Sequence, residues 1–254
     1  MTALILLAHG SRHPDTAAAF ERLADAVRAA LPCAECGGPS QVRTAWLDLA
    51  EPSLDDVLDG LAAAGERRAV VVPMLFTDAF HARVDVPGQI RDGLRHGVDV
   101  HVAHGLGLGE GVHRAVVRSL VGAVGDRLGS SDVVVMAVGS SDAAANEAVR
   151  GFAAGLDATL PGRVSAAFAV AVDGPRGADA VALAAGAAAE RGRDLAVVPL
   201  FTAPGLLWDL VTGDGREHPC TVRFAEPLAE LLADVVVARW DSDPASVHDA
   251  RAVA

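Results

Sequence analysis

The sequence is poor in basic residues, aromatic residues and cysteine. It has no tyrosine, 4% aromatic residues and 21 Lys and Arg against 33 Asp and Glu, for a formal net charge of −12. This acidic balance argues against a nucleic-acid-binding protein, because phosphate backbones are bound through clustered basic residues. A small anionic ligand is not excluded, since a few local arginines can outweigh the overall charge.

Signals for membrane insertion and secretion are also missing. No apolar run approaches the roughly 18 residues that a membrane helix needs, and the start, MTAL, lacks the positively charged n-region of a signal peptide. Three cysteines, an odd number, suit a reducing compartment better than a disulfide framework. We therefore expect a cytoplasmic protein with no membrane and no nucleic-acid partner.

Two of the cysteines, Cys33 and Cys36, have the spacing of half a zinc site or of a redox pair. No second pair follows, and residues 33–40 are typical of a loop that contains Gly and Pro. We favour the loop interpretation.

Apolar residues, in contrast, make up 51% of the chain, enough for a sizeable core in one large domain or two small ones. Apolar runs of strand length alternate with Ala-rich stretches of helical periodicity. The predicted strands are 4–8, 42–47, 69–76, 98–102, 133–138, 164–171, 195–201 and 221–224. The predicted helices are 16–30, 54–64, 86–95, 112–128, 144–159, 178–191, 206–212 and 227–239. Continuous apolar strands are typical of a parallel sheet covered on both faces, so the pattern predicts an α/β fold.

The chain also repeats itself. Residues 4–11 (LILLAHGS) match 133–140 (VVVMAVGS) at an offset of 129, and 71–77 with 197–202, then 103–106 with 225–228, follow in the same order. Such matches indicate a duplicated four-strand α/β unit. We predict one unit at 1–127, a degenerate second unit at 130–240 and a polar tail at 241–254, because a Gly- and Ser-rich stretch separates the halves.

The two halves serve as an internal control. Positions that both halves share are predicted to serve the fold: Gly10 with Gly139, Ser11 with Ser140 and Pro73 with Pro199. Polar residues found in one half alone are better candidates for chemistry. Three of them align with less polar residues of the second half: His9 with Val138, Arg12 with Ser141, and His81 with an apolar residue near Leu206.

Three candidate residues follow predicted strands of the first half. His9 ends the first strand, Glu51 comes after the second and His81 after the third. Ligands of open α/β sheets bind at the carboxyl ends of the strands. If strands one and three are neighbours, the two imidazoles converge as a divalent metal site in their neutral forms, with Glu51 as a proton acceptor or third ligand. Strand-end histidines bonded to backbone, and a carboxylate in a helix-cap region, remain open alternatives.

Further residues give weaker signals. Arg12, Arg43 and Arg83 are candidate partners of a carboxylated ligand, and the helix start near Pro14 offers amides for an anion. Residues 105–111 (GLGLGEG) resemble a dinucleotide loop but follow the fourth strand rather than the first, which favours a simple strand-to-helix loop. Core packing is expected of Trp46, Trp208 and Trp240, and surface or loop positions of His96, His101, His104, His113, His218 and His248.

Residues 4–12 (LILLAHGSR), 49–52 (LAEP) and 73–87 (PMLFTDAFHARVDVP) together resemble the sirohydrochlorin chelatases, the CbiX and SirB type of class II tetrapyrrole chelatases. The resemblance covers essentially the whole chain as two tandem units, of which the first matches far better. It implies two chelatase-like (flavodoxin-like) units, each a four-stranded parallel sheet flanked by helices. It also implies insertion of Fe²⁺, for sirohaem, or Co²⁺, for a cobalamin precursor, into sirohydrochlorin.

The resemblance further implies roles for individual residues. His9 and His81 handle the metal, which is a substrate, and Glu51 lies at the substrate cleft; no organic cofactor is implied. The macrocycle pocket is lined by Leu75, Phe76, Thr77, Asp78, Ala79 and Phe80, although the family often has a glycine where Ala79 or Phe80 stands. Ser11 and Arg12 bind the carboxylates of the substrate, so a locally basic patch is expected.

Other interpretations compete with this one. A non-catalytic metal or tetrapyrrole carrier would share the histidines. A phosphate- or nucleotide-binding module lacks its glycine fingerprint after the first strand, and histidine phosphotransfer enzymes have an arginine where Ala8 stands. We expect a monomer with two pseudo-symmetric halves, because one chain then supplies what a smaller homodimer builds from two.

Overall fold

The computed structural model describes residues 2–77, 97–170, 174–213 and 215–246. Several sequence predictions lie outside these residues: the helix at 86–95, Arg83, His96, His248 and the site residues Asp78, Ala79, Phe80 and His81. The described residues form two four-stranded parallel sheets flanked by helices, so the predicted α/β class is confirmed.

The first sheet contains β1 (Thr2–Ala8), β2 (Val42–Trp46), β3 (Arg68–Pro73) and β4 (Asp99–Val102) in the order β2-β1-β3-β4. Every residue of β1 is buried, as a central strand covered on both faces requires. Helix α1 (Asp15–Ala30) follows β1, a 3₁₀ turn (Ala34–Cys36) precedes β2, and α2 (Leu54–Ala63) follows β2.

The second sheet has the same topology. Its strands are β5 (Ser131–Ala137), β6 (Val164–Phe168), β7 (Asp194–Pro199) and β8 (Val222–Phe224), in the order β6-β5-β7-β8. The further helices are α3 (Glu110–Val124), α4 (Ala143–Asp157), α5 (Gly177–Glu190), α6 (Leu206–Thr212) and α7 (Ala233–Ser242), with 3₁₀ turns at Gly125–Ser130 and Ala229–Leu232. All eight predicted strands are found in their predicted positions, which confirms the duplication.

Equivalent hydrogen bonds make the repeat explicit. The Met74 N–H donates to the Leu7 carbonyl at 2.8 Å, and the Leu200 N–H donates to the Met136 carbonyl at the same distance. Gly10 and Gly139 have φ of 98° and 94°. A Cβ on Gly10 would lie 1.8 Å from the Asp48 carbonyl oxygen, and one on Gly139 would lie 2.0 Å from that of Val170. These shared glycines therefore serve the fold, because both the dihedral angle and the close backbone approach exclude a side chain.

The contacts divide the chain differently from the predicted boundary near residue 127. Unit 1 contains the described residues of Met1–Gly107 and Leu232–Ala254, and unit 2 is Leu108–Leu231. Helix α3, which follows β4, therefore belongs to unit 2 and packs against β7, whereas α7, which follows β8, belongs to unit 1 and packs against α1 and β3. Each half of the sequence ends in a helix that completes the other unit. The predicted tail at 241–254 overlaps the end of α7.

The core of each unit lies on both faces of its sheet. On one face of the first sheet, Ile5 and Leu7 pack with Leu54, Leu58 and Leu61 of α2. On a face of the second sheet, the core includes Val134, Met136, Val181, Trp208 and Val211. The three tryptophans are 3–6% exposed, so the prediction that they pack in the core is confirmed. Among the described residues, no helix is both long and apolar enough to span a membrane.

Candidate active site at the carboxyl edge of the first sheet

The candidate site is the carboxyl edge of the first sheet, which we define as residues 9–14, 47–53, 74–77 and 103–107. Strand β1 pairs in parallel with β2 on one side and with β3 on the other. The loops that follow these three strands therefore meet at one edge, where α/β sheets bind ligands. The neighbouring strands one and three that the histidine hypothesis needs are present.

His9 occupies the centre of this edge, directly after β1. His9 is exposed, and its backbone carbonyl accepts a hydrogen bond from the Asp48 N–H at 2.9 Å. This bond joins the loop after β1 to the loop after β2. The position of the backbone is thus fixed while the residue remains accessible to a ligand.

Glu51 lies in the loop after β2 and is also exposed. Helix α2 is capped without it: the Ser53 side chain accepts from the Asp56 N–H at 3.2 Å, and the Ser53 N–H donates to the Asp56 carboxylate at 2.9 Å. Ser53 is thus the N-cap of α2, and Glu51 lies two residues before it, in the cap region but outside the hydrogen bonds of the capping box. Glu51 is therefore an exposed carboxylate residue at the same edge as His9.

Ser11 and Arg12 form the turn between β1 and α1. The Ser11 hydroxyl accepts the His13 N–H at 3.0 Å, as the Ser140 hydroxyl accepts the Asp142 N–H at 3.1 Å in the repeat. The Ser11 hydroxyl thus serves the turn, and Arg12 is exposed.

The start of α1 differs from the expected anion site. The Asp15 N–H donates to His13 Nδ1 at 3.1 Å, and the Thr16 N–H donates to the His13 carbonyl at 3.3 Å. His13 Nδ1 therefore accepts an N–H two residues ahead, as the Asp142 carboxylate does before α4, although the N-cap of α1 is Pro14. Two first-turn N–H groups of the predicted anion site are thus bonded to His13, and Asp15 adds a carboxylate to the same turn.

The two turns differ in one buried residue that the sequence alignment did not single out. Asn146, 7% exposed, accepts the Ser140 N–H at 2.9 Å and donates to the Ser140 carbonyl at 2.7 Å. The residue 129 positions earlier is Ala17, whose methyl group makes neither bond. Within the part of the chain that the structure describes, the Ser11 N–H has no corresponding partner. An Asn against an Ala at the start of the two aligned helices was the signal in the sequence.

The loop after β3 contributes apolar surface. Leu75, Phe76 and Thr77 are half-buried, and the Gly107 N–H donates to the Leu75 carbonyl at 3.3 Å. A Cβ on Gly105 would lie 2.9 Å from the same oxygen. Gly105 therefore allows two loops to pack closely, which is a structural role and not a dinucleotide fingerprint.

The expected basic patch is not present in the described part of the carboxyl edge. The charged residues of this part are Arg12, Asp48 and Glu51, and it also contains three histidines, His9, His13 and His104. Arg43, predicted as a ligand partner, lies near the start of β2 and hence at the opposite edge of the sheet, where its Nε donates to Gln41 at 3.0 Å. Arg43 was predicted at the carboxyl edge, but its position near the amino end of β2 places it at the other edge of the sheet.

Other histidines contribute to structure. His101, predicted as a loop or surface residue, is exposed on β4, and its Nδ1 lies 2.8 Å from the carboxylate of buried Asp243 at the end of α7. No pattern in the sequence indicates this pair, whose members are 142 positions apart. Among the described residues, no group of three or more His, Cys, Asp or Glu side chains is arranged to hold a metal ion.

Comparison with known proteins finds a family model that is similar to the part of the chain that carries this edge. Residues 3–123 match the family model CbiX. The chain is therefore similar to this family over slightly less than half of its length. The match spans the first sheet with His9 and Glu51, and in sequence it also includes His81.

Curated relatives align with about a third of the chain. A protein named sirohydrochlorin cobaltochelatase from Methanopyrus kandleri is 30% identical over 87 residues, which are 34% of this chain and 57% of that protein. A protein of the same name from Sulfolobus acidocaldarius is 27% identical over 92 residues, or 36% of this chain and 68% of that protein. The aligned segment thus covers little more than half of the Methanopyrus protein.

Similarity to solved structures extends over nearly the whole chain. SirB from Bacillus subtilis, in a structure with Fe³⁺, has a TM-score of 0.72 at 22% identity and covers 94% of this chain and 93% of its own. The multi-domain protein DR2241 from Deinococcus radiodurans, described as similar to chelatases, has a TM-score of 0.68 at 18% identity and covers 98% of this chain and 56% of its own. At these identities the similarity establishes the fold alone.

Proposed function

We propose that this protein is a sirohydrochlorin chelatase, which inserts Fe²⁺ or Co²⁺ into the macrocycle at the carboxyl edge of the first sheet. The observation that carries the proposal is the position of His9 between the loops after β2 and β3, in the half of the chain that matches CbiX. The names of the curated relatives, sirohydrochlorin cobaltochelatase, support the same substrate and reaction.

Metal insertion requires a site that binds a divalent ion weakly and removes two protons. The two pyrrole N–H groups lose their protons as the metal enters. His9 and His81 are proposed to hold the ion as neutral imidazoles and to receive protons, and Glu51 to assist as a base. Two imidazoles release the ion to the macrocycle nitrogens, whereas a closed site of four strong ligands would retain it.

The macrocycle is proposed to lie against the loop after β3. The half-buried side chains of Leu75, Phe76 and Thr77 support a flat apolar ligand there, and Asp78, Ala79 and Phe80, which follow them in sequence, are proposed to line the same pocket. The Ser11 N–H and the Arg12 guanidinium are proposed to bind carboxylates of the substrate, since backbone amides and Arg are both strong carboxylate partners. The Ser11 hydroxyl, in this arrangement, only shapes the turn.

We further propose that the protein acts as a cytoplasmic monomer. The free thiols of Cys33, Cys36 and Cys220 support a reducing compartment. The duplicated topology supports a monomer, because two sheets of the same strand order are already present in one chain.

The test is turnover with purified full-length protein. Sirohydrochlorin and Fe²⁺ or Co²⁺ are mixed anaerobically, and the absorbance change of the macrocycle gives the insertion rate. His9→Ala and His81→Ala should each lower the rate at least tenfold, whereas His218→Ala, in unit 2, should leave it unchanged. Unchanged rates in both site variants would contradict the assignment, and ligand binding without insertion would indicate a carrier.

A further inference from the structure

Cys33 and Cys36 form a pair of neighbouring thiols outside the candidate active site. Both residues are exposed and free, and their Sγ atoms lie 3.1 Å apart. They belong to the connection between α1 and β2, which enters β2 at its amino end, whereas Glu51 follows the carboxyl end of that strand. The pair and the candidate active site thus lie at opposite edges of the first sheet.

The turn that carries the pair has a defined backbone. The Cys36 and Gly38 N–H groups each donate to the Cys33 carbonyl at 2.9 Å. Gly37 has φ of 95°, and a Cβ on Gly38 would lie 1.7 Å from the Pro32 carbonyl oxygen. The positive φ of Gly37 disfavours a side chain there and the close approach to Pro32 excludes one at Gly38, so the backbone of this turn is restricted.

The two thiols are not equivalent. The pKa of Cys33 is lowered by a hydrogen bond with the Cys36 thiol, with further hydrogen bonds from the Cys36 and Glu35 N–H groups, and the pKa of Cys36 is raised by the same sulfur–sulfur bond. Cys33 is therefore the first of the pair to become the nucleophilic thiolate. Burial raises the pKa of Cys220, whose thiol donates to the Ala185 carbonyl at 3.5 Å.

A cavity opens beside Cys33. Its volume is about 590 Å³, and Cys33 lines it together with Pro32, Pro39, Arg28 and Arg43, whereas Cys36 does not. The cavity is of a size that small-molecule sites have. A small molecule in it would lie next to Cys33 and not next to Cys36.

We propose that Cys33 and Cys36 are a dithiol–disulfide exchange site that reacts with small-molecule disulfides seated in this cavity. The Cys33 thiolate attacks one sulfur of the disulfide, forms a mixed disulfide and expels the other sulfur as a thiolate. Cys36 then loses its proton to water and attacks Cys33 Sγ, which expels the second thiolate. Two protein thiols are oxidised to one disulfide, the small disulfide is reduced to two thiols, and the two protons released pass to these products.

The short distance between the sulfurs supports the second step. The Sγ atoms must approach by about 1 Å to reach the ~2.05 Å length of a disulfide bond. A turn in which the cysteines are separated by two residues allows this approach without movement of β2 or α1. The first step depends on the cavity, and the second depends only on the turn.

The test uses the full-length reduced protein with glutathione disulfide as the probe, acid quenching and peptide mass spectrometry. The expected product is an internal Cys33–Cys36 disulfide with two glutathiones released per protein and Cys220 still reduced. Cys36→Ser should stop at the mixed disulfide on Cys33, and Cys33→Ser should react at least about tenfold more slowly at pH 7. Both replaced residues are exposed, and far-UV circular dichroism verifies that the variants fold.

Two results would overturn the proposal. One is equal rates of glutathionylation in Cys33→Ser and Cys36→Ser, because the two thiols would then be ordinary surface cysteines. The other is the absence of an internal disulfide at a hundredfold excess of glutathione disulfide over glutathione. Neither result depends on chelatase activity, so this proposal and the proposed function stand or fall separately.

Discussion

A Cβ atom on residue 10 would lie 1.8 Å from the carbonyl oxygen of Asp48, and this contact explains the glycine in the turn after β1. The loop after β2 therefore passes directly over Gly10, and the Asp48 N–H bonds the His9 carbonyl. The position of His9 depends on this close approach of two backbones.

Gly10→Ala should destabilise unit 1 more than an ordinary glycine replacement. The left-handed φ of 98° costs an alanine about 1–2 kcal/mol, and the clash with Asp48 adds to it, for an expected loss of about 3 kcal/mol or more. The measurement is the urea midpoint of unfolding. Gly65→Ala is the matched control, since Gly65 has φ of 80° and a Cβ added to it would meet no atom within 4 Å, and its loss should stay near about 1 kcal/mol. Equal losses in the two variants would show that the Asp48 contact does not restrict residue 10.

A second prediction concerns the buried carboxylate of Asp132 at the start of β5. Its Oδ2 accepts Arg191 Nε at 3.0 Å, and its Oδ1 accepts Arg193 Nε at 2.8 Å and the Arg163 N–H at 3.0 Å. Asp132→Ala leaves two guanidinium groups without their acceptor and should cost about 2–4 kcal/mol at neutral pH. The exposed pair of Asp179 and Arg216 provides the control, and Asp179→Ala should cost less than about 1 kcal/mol.

The same carboxylate predicts a dependence on pH. Burial of Asp132 opposes ionisation, but hydrogen bonds from Arg191 and from the Arg163 N–H, and the charges of Arg191 and Arg193, outweigh it and lower the pKa. A lowered pKa in the folded state means that the stabilisation is complete above the unfolded pKa of about 3.9 and is lost as the pH falls through the folded pKa. The difference in unfolding free energy between wild type and Asp132→Ala should therefore shrink below about pH 4. A difference that stays constant down to pH 2 would argue against an ionised Asp132.

Much of the fold was predictable because β1, β3, β5 and β7 are continuous apolar runs bounded by Gly, Pro and Asp. The shared positions Gly10 and Gly139 also identified the turns correctly, since the same backbone constraint acts in both units. Composition carried no information on which sheet a helix covers. For that reason the exchange of α3 and α7 between the units, and the pair of His101 and Asp243, were not predicted.

The candidate site was predictable only in part. His9 and Glu51 could be assigned to one edge because they follow parallel strands, but Arg43 was assigned to the same edge without regard to its position near the start of β2. The roles of His13 and Asn146 depend on hydrogen bonds with backbone groups two and six residues away. Such bonds follow from turn geometry, which residue type alone does not determine.

A fourth prediction concerns the attachment of α7 to unit 1. Arg239 donates from Nε to the Gly105 carbonyl and from Nη2 to the Leu106 carbonyl, both at 2.7 Å. Arg239→Met should cost about 2 kcal/mol, because charged hydrogen bonds to two carbonyls are lost. Limited proteolysis should then cleave near α7 sooner than in wild type. Arg114→Met, which removes an exposed pair with Glu110, is the control and should leave the cleavage rate unchanged.

The last prediction tests the Ser11 N–H as a substrate ligand through the difference between the two turns. Asn146 occupies the Ser140 N–H and carbonyl in unit 2, whereas Ala17 stands at the aligned position of unit 1. Ala17→Asn should give the Ser11 turn the same two hydrogen bonds. The new side chain would then compete with a substrate carboxylate for the Ser11 N–H. A hydrogen bond to a charged group contributes about 1.5–3 kcal/mol, so the KM for sirohydrochlorin should rise about tenfold or more, with little change in kcat.

Two variants separate this effect from steric and stability effects. Ala17→Leu adds a side chain of similar size without hydrogen-bonding groups, so its KM should stay near that of wild type. Asn146→Ala removes both hydrogen bonds to Ser140 in unit 2 and should lower the urea midpoint, because the half-buried Ser140 backbone groups lose their partner, while KM remains unchanged. If Ala17→Leu raises KM as much as Ala17→Asn, bulk at residue 17 is responsible, and the Ser11 N–H does not bind the substrate.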